Sequence, residues 1–360
     1  MAELPILENA YLVIKDGLIN AYGSMAELPN IPKQQLPSDR YDARGASVLP
    51  TWCDSHTHLV FAASREEEFV DKIKGLSYAE IAAKGGGILN SAAKLQECAE
   101  EALYEMAFKR LKELIRLGTG SIEIKSGYGL STDGEIKMLR VIKKLKEHAP
   151  IPVKASFLGA HTYPLAYKDN HGAYIDLIIN EMLPRIREEK LADFIDVFCE
   201  TGFFSPEETT TICKAGMAIG LQPKIHANQL SLSGGIEAGV KLGALSVDHL
   251  ETMDNASIRL LADSNTIGTL LPTAAYFLRM PFQPARALLD AGAAIAIASD
   301  FNPGSSPSGN MNMVVSMSCI QLKMLPEEAI NAATTNAAFA INLENELGSI
   351  SKGKKANLIF

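Results

Sequence analysis

The sequence predicts an α/β fold, a (β/α)8 TIM-like barrel, accompanied by a small β-domain built from both termini. Two observations carry that expectation. Eight short apolar, β-branched runs alternate with longer stretches of helical periodicity. In addition, His56, His58, His226 and His249, four of the seven histidines, stand with Asp300 at or just past the ends of such runs. In a barrel of parallel strands those ends converge on the one face where active sites form.

Taken in order, residues 1–46 hold two strand-like pieces, 10–14 and 18–22, on either side of Lys15-Asp16-Gly17, a hairpin turn signal. The tail after Gly348 ends in Leu358-Ile359-Phe360, which reads as a returning strand. Residues 1–46 and 348–360 are therefore expected to form the small β-domain, and 47–347 the barrel. The end pieces are short for such a domain, which is expected to be truncated here. Barrel strands are expected near 47–53, 119–125, 152–159, 194–199, 223–227, 244–248, 267–271 and 294–299. Helical periodicity is clearest at 95–117, 132–147, 173–190, 205–219 and 281–291. Gly118, Gly220, Gly243 and Gly292 each fall just past a helical stretch, the C-cap position. Ser131 and Ser205 occupy N-cap positions, Ser205 ahead of a proline and two glutamates. This alternation suits a closed parallel barrel or a doubly wound sheet, and the count of eight favours the barrel.

Composition narrows the function classes. The chain has 360 residues, 47% of them hydrophobic, enough for one large barrel with an ample core. A net charge of −8, with no dense Lys/Arg block, argues against a nucleic-acid or anionic-membrane surface. The five cysteines are odd in number, scattered, and form no C-x-x-C pair, so reduced thiols are expected. No basic leader follows Met1 and no apolar run is long enough to span a bilayer, so a cytoplasmic enzyme is expected.

His56 and His58 are two apart at a strand end, which would point both rings to the mouth of the barrel. A lone H-x-H is a weak signal, because exposed or core-satisfied histidines are common. Joined by Asp54, His226 and Asp300 at matching ends, it becomes a metal constellation. Neutral imidazoles and a carboxylate suit one zinc or iron ion with a position left for water. His249 could be a fourth ligand or a packed histidine, but beside an activated water it is best suited to move protons. His161, after the third barrel strand, is expected to contact substrate, and His148 and His171 to be solvated. Lys125 admits two readings, a carbamylated bridge between two metals or a structural ion pair, and one metal is expected.

The residues Asp54-Ser55-His56-Thr57-His58-Leu59-Val60-Phe61-Ala62, with His226 and Asp300, resemble the amidohydrolase superfamily of metal-dependent barrels. Arg65, Gly85-Gly86-Gly87-Ile88-Leu89, Glu123-Ile124-Lys125-Ser126-Gly127-Tyr128-Gly129-Leu130 and Asp300-Phe301-Asn302-Pro303-Gly304-Ser305-Ser306-Pro307 narrow it. They are similar to the branch that opens the lactam ring of 4-imidazolone-5-propanoate in histidine degradation. The resemblance runs from about residue 45 to the end. It implies an amidohydrolase-type barrel with one zinc or iron ion on His56, His58, His226 and Asp300. It implies substrate contacts at Arg65, Tyr128, His161, Gln229, Asn302, Gly304 and Ser305, and a homodimer is expected.

Arg65 would offer a planar fork to the propionate carboxylate. The backbone around Gly304 and Ser305 would approach the ligand closely, and Tyr128 would bring a hydroxyl on a mobile loop. Position 229 can be glutamate in this branch, whereas here it is Gln229, which holds a hydrogen bond but carries no proton. Catalytic proton transfer then falls to His249 and Asp300. The alternatives are an aminohydrolase acting on a nucleobase-like ring, against which Gln229 counts, and a non-catalytic metal-binding barrel.

Overall fold

A computed structural model describes residues 2–30, 38–76, 80 and 86–360. Of the motif residues named above, Gly85 lies outside the described residues. β1 (Ala10–Lys15) and β2 (Leu18–Ser24) form an antiparallel hairpin whose turn residues Asp16 and Gly17 both have positive φ. That is the turn an Asp-Gly pair prefers, because its twist matches the flanking strands. β3 (Leu49–Pro50) pairs antiparallel with β12 (Leu358–Ile359) near the end of the chain. Ile19 N donates to Lys354 O and Gly353 N to Ile19 O, so the hairpin and the tail are tied together.

The eight-stranded parallel sheet runs in chain order. It comprises β4 (Trp52–Asp54), β5 (Thr119–Lys125), β6 (Val153–Ala160), β7 (Phe194–Cys199), β8 (Gln222–Ala227), β9 (Ser246–His249), β10 (Ile267–Leu270) and β11 (Ile295–Ile297). Helices follow the strands and cover the outside, so both faces are buried and the strands read as continuous apolar runs. Leu111, Ile122, Leu139 and Ile142 are fully buried between helix and sheet. Each contributes about 1.5–3 kcal/mol of transfer free energy.

The run expected as one strand at 47–53 is two. Leu49 and Pro50 pair with the tail, Thr51 N still donates to Asn357 O, and Trp52 N turns to Gly118 O at the start of the barrel. Periodicity cannot report a change of partner. β4 and β11 share no ladder. The gap between them is closed just beyond their ends, where Asp300 N donates to His56 O, His58 N donates to Phe301 O, and Thr57 bridges Phe301. Asp54 accepts from both the amide and the hydroxyl of Ser299.

Two expected helices are interrupted. The stretch 95–117 divides into Ile88–Glu97 and Glu100–Arg116, because Cys98 and Ala99 are extended. Lys137 Nζ donates to the carbonyls of Leu95, Gln96 and Cys98 at the break. The stretch 173–190 is His171–Leu177, a π-helical turn over Ile178–Met182, and Leu183–Glu189. Pro184 has no N–H to continue the α-helical ladder, and the wider turn carries the chain past it. Ser131 and Ser205 cap their helices, Ser205 through a capping box with Glu208, and the four glycines past helix ends all have positive φ. Among the described residues no helix is long and apolar enough to cross a membrane.

Candidate metal centre

β4 stops at Asp54, so His56 and His58 are not strand residues as expected but follow in the extended segment that closes the barrel. The alternation that aims both rings inward survives because that segment pairs with Phe301. His226 lies within β8, His249 ends β9, and Asp300 follows β11. The rings converge. Centroids of His56 and His226 are 4.5 Å apart, and those of His58 and His226 5.5 Å.

The donor atoms converge more closely still. His226 Nε2 is 3.4 Å from His58 Nε2, and Asp300 Oδ1 is 3.5 Å from His56 Nε2 and 3.6 Å from His58 Nε2. Four ligands placed tetrahedrally at zinc–nitrogen and zinc–oxygen distances would stand about 3.3–3.5 Å from one another. His56 Nε2 is buried and has no hydrogen-bond partner among the described residues. The far sides of two rings are held: Asp248 Oδ2 is 2.7 Å from His56 Nδ1, and Asp196 Oδ1 is 3.0 Å from His226 Nδ1. Carboxylates placed there fix the tautomer that turns the Nε2 lone pair toward an ion. The residues therefore fit a divalent cation.

Burial holds His56, His58 and His226 well below the ordinary imidazole pKa, and the positive charge of Lys125 lowers all three further. They are neutral, as ligands must be. Burial also pushes the Asp300 carboxyl up to about 6, partly offset by His249. His249 is pulled down by burial, but Glu251, 3.4 Å from its Nδ1, and Asp300 outweigh that and leave it above its ordinary value. Gln283 in turn donates to Glu251. With His56 and His226, His249 also makes a second group of three with ligand atoms within 4.8 Å. His249 and Asp300 both adopt positive φ, a strained choice for residues other than glycine that recurs at functional sites.

Asp54 does not join the cluster, because both its oxygens are taken by Ser299. Lys125 is a structural ion pair, its Nζ 2.6 Å from Glu123 and 2.7 Å from Asp196. A fully buried ammonium so surrounded is held charged, which removes the nucleophilic amine that carbamylation needs. His148 is exposed and bonded to Tyr104. His171 stacks on Tyr163 beside Glu208 rather than being freely solvated.

Arg65 precedes the helix Glu66–Ile73, and its Nε donates to Ser91 Oγ, with Cζ 5.8 Å from the Tyr128 ring. Tyr128 lies 5.8 Å from His58 and 5.6 Å from His161, which stacks on His58. Burial lowers the His161 pKa to about 4, so this ring is neutral. The Tyr128 loop is not free to move as expected. The buried Glu135 accepts the amides of Gly127, Gly129 and Leu130, and Tyr128 is 3% exposed.

Asn302 also differs from expectation. Its Oδ1 accepts the amides of Gly304 and Ser305, and its Nδ2 donates to Asp300 O and Ser305 Oγ. Those amides thus organise their own turn rather than facing outward. Gly304 serves by its smallness, since a Cβ there would sit 2.3 Å from Arg65 Nη1. Gln229 is half-buried in the turn after β8, and Glu200 ties that turn down through Leu230 N and Ser231 N.

Sequence reasoning missed Asp196, Asp248, Glu251, Lys224, Glu135 and Ser91. Asp196 did leave a signal, as the single charge inside an otherwise apolar strand, and Lys224 as a charge within β8, where an unpaired charge would be prohibitive. Glu135 and Ser91 lie on helices and left none.

A model of the amidohydrolase family matches residues 47–360. The imidazolonepropionase of Flavobacterium johnsoniae is 58% identical over all 360 residues, which span 87% of that protein. The imidazolonepropionase of a Geobacillus species is 43% identical, again over the whole chain and 85% of its own length. Among solved structures, 5-methylcytosine deaminase from Klebsiella pneumoniae superposes with a TM-score of 0.75 at 18% identity, over 97% of this chain and 87% of that one. A zinc-bound adenosine deaminase from Xanthomonas campestris gives 0.70 at 17%, over 98% and 80%. Likeness at that level of identity speaks for the fold alone.

Proposed function

Since this chain belongs to the amidohydrolase family, we propose that it hydrolyses a cyclic amide in histidine degradation, opening the lactam C–N bond of 4-imidazolone-5-propanoate to N-formimidoyl-L-glutamate. The observation that carries the reading, beside the full-length likeness to imidazolonepropionases, is Arg65. It sets a guanidinium next to Tyr128, and Tyr128 next to the imidazole cluster. A carboxylate anchor beside a metal-type centre suits a propionate-bearing ring, and a nucleobase would have no use for it.

His56, His58 and His226 through Nε2, and Asp300 through Oδ1, would hold one zinc or iron ion. When bound, that ion polarises the ring carbonyl and lowers the pKa of water toward about 7. The protein's own groups do the rest. Arg65 holds the propionate with its two terminal nitrogens, its Nε being occupied by Ser91. Tyr128 and His161 wall the ring, and Gln229 bonds one of its nitrogens. Asp300 takes a proton from the attacking water as the new C–O bond forms. His249, whose pKa Glu251 and Asp300 raise against the effect of burial, gives a proton to the departing ring nitrogen as the C–N bond breaks. The water is thereby divided between the new carboxyl and the amidine.

The test is ring opening of 4-imidazolone-5-propanoate by the purified chain, followed by loss of the imidazolone absorbance. Formation of N-formimidoyl-L-glutamate is the expected result. An inert imidazolone, with ammonia released from a nucleobase instead, would overturn it.

A further inference from the structure

Beneath the imidazole cluster five charged side chains lie inside the barrel, all with 0% exposure: Glu123 and Lys125 from β5, Asp196 from β7, Lys224 from β8 and Asp248 from β9. Burying ions is costly, and such groups stabilise a fold less than apolar residues of the same volume would. Their connections suggest another use. Lys125 Nζ is 2.6 Å from Glu123 Oε1, 2.7 Å from Asp196 Oδ2 and 3.7 Å from Asp248 Oδ2. The other oxygen of Asp196 meets His226 Nδ1, and that same Oδ2 of Asp248 meets His56 Nδ1. One ammonium therefore stands behind both carboxylates that orient two of the candidate ligand rings. Lys224, 3.2 Å from Glu123 Oε2 and 3.9 Å from Asp248 Oδ2, and Ser246, bonded to Asp248 Oδ1, complete the frame.

We propose that Lys125 is a positioning residue for the metal centre, setting His56 and His226 through Asp248 and Asp196. The proposal rests on the reading of His56, His58, His226 and Asp300 as a metal site. Lys125 donates a hydrogen bond to Asp196 and sets its charge 3.7 Å from Asp248, and having no acceptor it does not compete for the imidazole protons. Methionine has a similar length and no charge. In Lys125→Met, Asp196 loses its hydrogen bond and Asp248 one of the two ammonium groups that face it, so both rings are held less firmly.

The test is zinc affinity of the full-length, chelator-stripped chain, measured by competition with a chromophoric chelator. The visible spectrum of the Co²⁺-loaded protein accompanies it, because band intensity reports ligand number and geometry. K125M is expected to bind zinc about 10–100-fold more weakly, as loss of an outer-sphere partner typically does, and to change the cobalt spectrum. E123Q/K125M removes both members of one ion pair, which keeps the net charge of the frame and favours folding where K125M alone would fail. It too is expected to bind zinc at least tenfold more weakly than wild type. Folded K125M binding zinc within threefold of wild type overturns the proposal, as does a return to wild-type affinity in E123Q/K125M. The latter would mean that Lys125 only neutralises Glu123. A folded wild type that binds no zinc or cobalt removes the metal reading itself, a result distinct from either.

Discussion

Gln229 and His249 lie on neighbouring turns after β8 and at the end of β9, yet their chemistry differs. The amide can orient a ring but not carry a proton, so Gln229→Ala should lose one neutral hydrogen bond, about 0.5–1.5 kcal/mol or roughly 2–13-fold in kcat/KM. His249→Ala should lose about 100-fold or more, because it removes a proton carrier from the transition state. His249 is raised above its ordinary pKa, and the proposed mechanism uses it as an acid. Activity should therefore fall as pH rises through its value, and the mutant should lack that alkaline limb. Equal losses in the two mutants, with the limb retained in His249→Ala, would contradict this division.

Arg65→Lys should raise KM by about tenfold and lower kcat less, since anchoring a remote carboxylate is shared by ground and transition states. Gly304→Ala should act in the same direction by displacing the guanidinium it touches. A pure kcat effect in Arg65→Lys would place Arg65 at the reacting carbonyl. At this scale the sequence was most informative about His56, His58, His226 and Asp300, because polar residues that end apolar runs stand out. Asp196 and Asp248 were harder to see, since a periodic pattern shows which way a side chain points but not what it meets.

The loop after β5 shows how an element can be misread. Tyr128 stands between Gly127 and Gly129, and glycines suggest mobility, but Glu135 gathers three amides of that loop from the first turn of the following helix. A Cβ at Gly129 would lie 2.2 Å from Glu135 N, so the glycine is there for close approach. Glu135→Gln exchanges an acceptor for a donor facing buried amides. Denaturant unfolding should show a loss of about 1–3 kcal/mol, and KM should rise as Tyr128 is released. Unchanged stability would mean that the loop is held by packing instead.

The helix breaks differ in cause. Pro184 stands inside the stretch 173–190 that periodicity carries as one helix, so the π-helical turn before it was not anticipated. Cys98 and Ala99 are neither proline nor glycine, and their break depends on Lys137 from a distant helix. The capping serines and the Asp16-Gly17 turn were legible because they act on their own neighbours.

The barrel as a whole was legible because parallel strands buried on both faces leave eight apolar runs that a count can find. Its closure was not, since no run marks how β4 and β11 meet. Asp54 makes that junction through Ser299, and burial raises its pKa to about 7 despite those hydrogen bonds. The carboxyl is therefore protonated in the folded chain at pH values where the unfolded chain ionises it, above about 4. Its contribution to stability is full below about pH 4 and is lost as pH rises toward about 7. An asparagine side chain at this position would keep the fit without the ionisation. Asp54→Asn should gain on wild type as the pH of a chelated unfolding series rises from about 4 to about 8, and a constant difference would contradict this.

The most direct test of the account joins metal content to turnover in one sample. The chain should carry one zinc or iron ion, lose opening of 4-imidazolone-5-propanoate when that ion is chelated, and regain it with one equivalent of either metal. Ring opening that persists after complete chelation, or that requires two ions per chain, would contradict it.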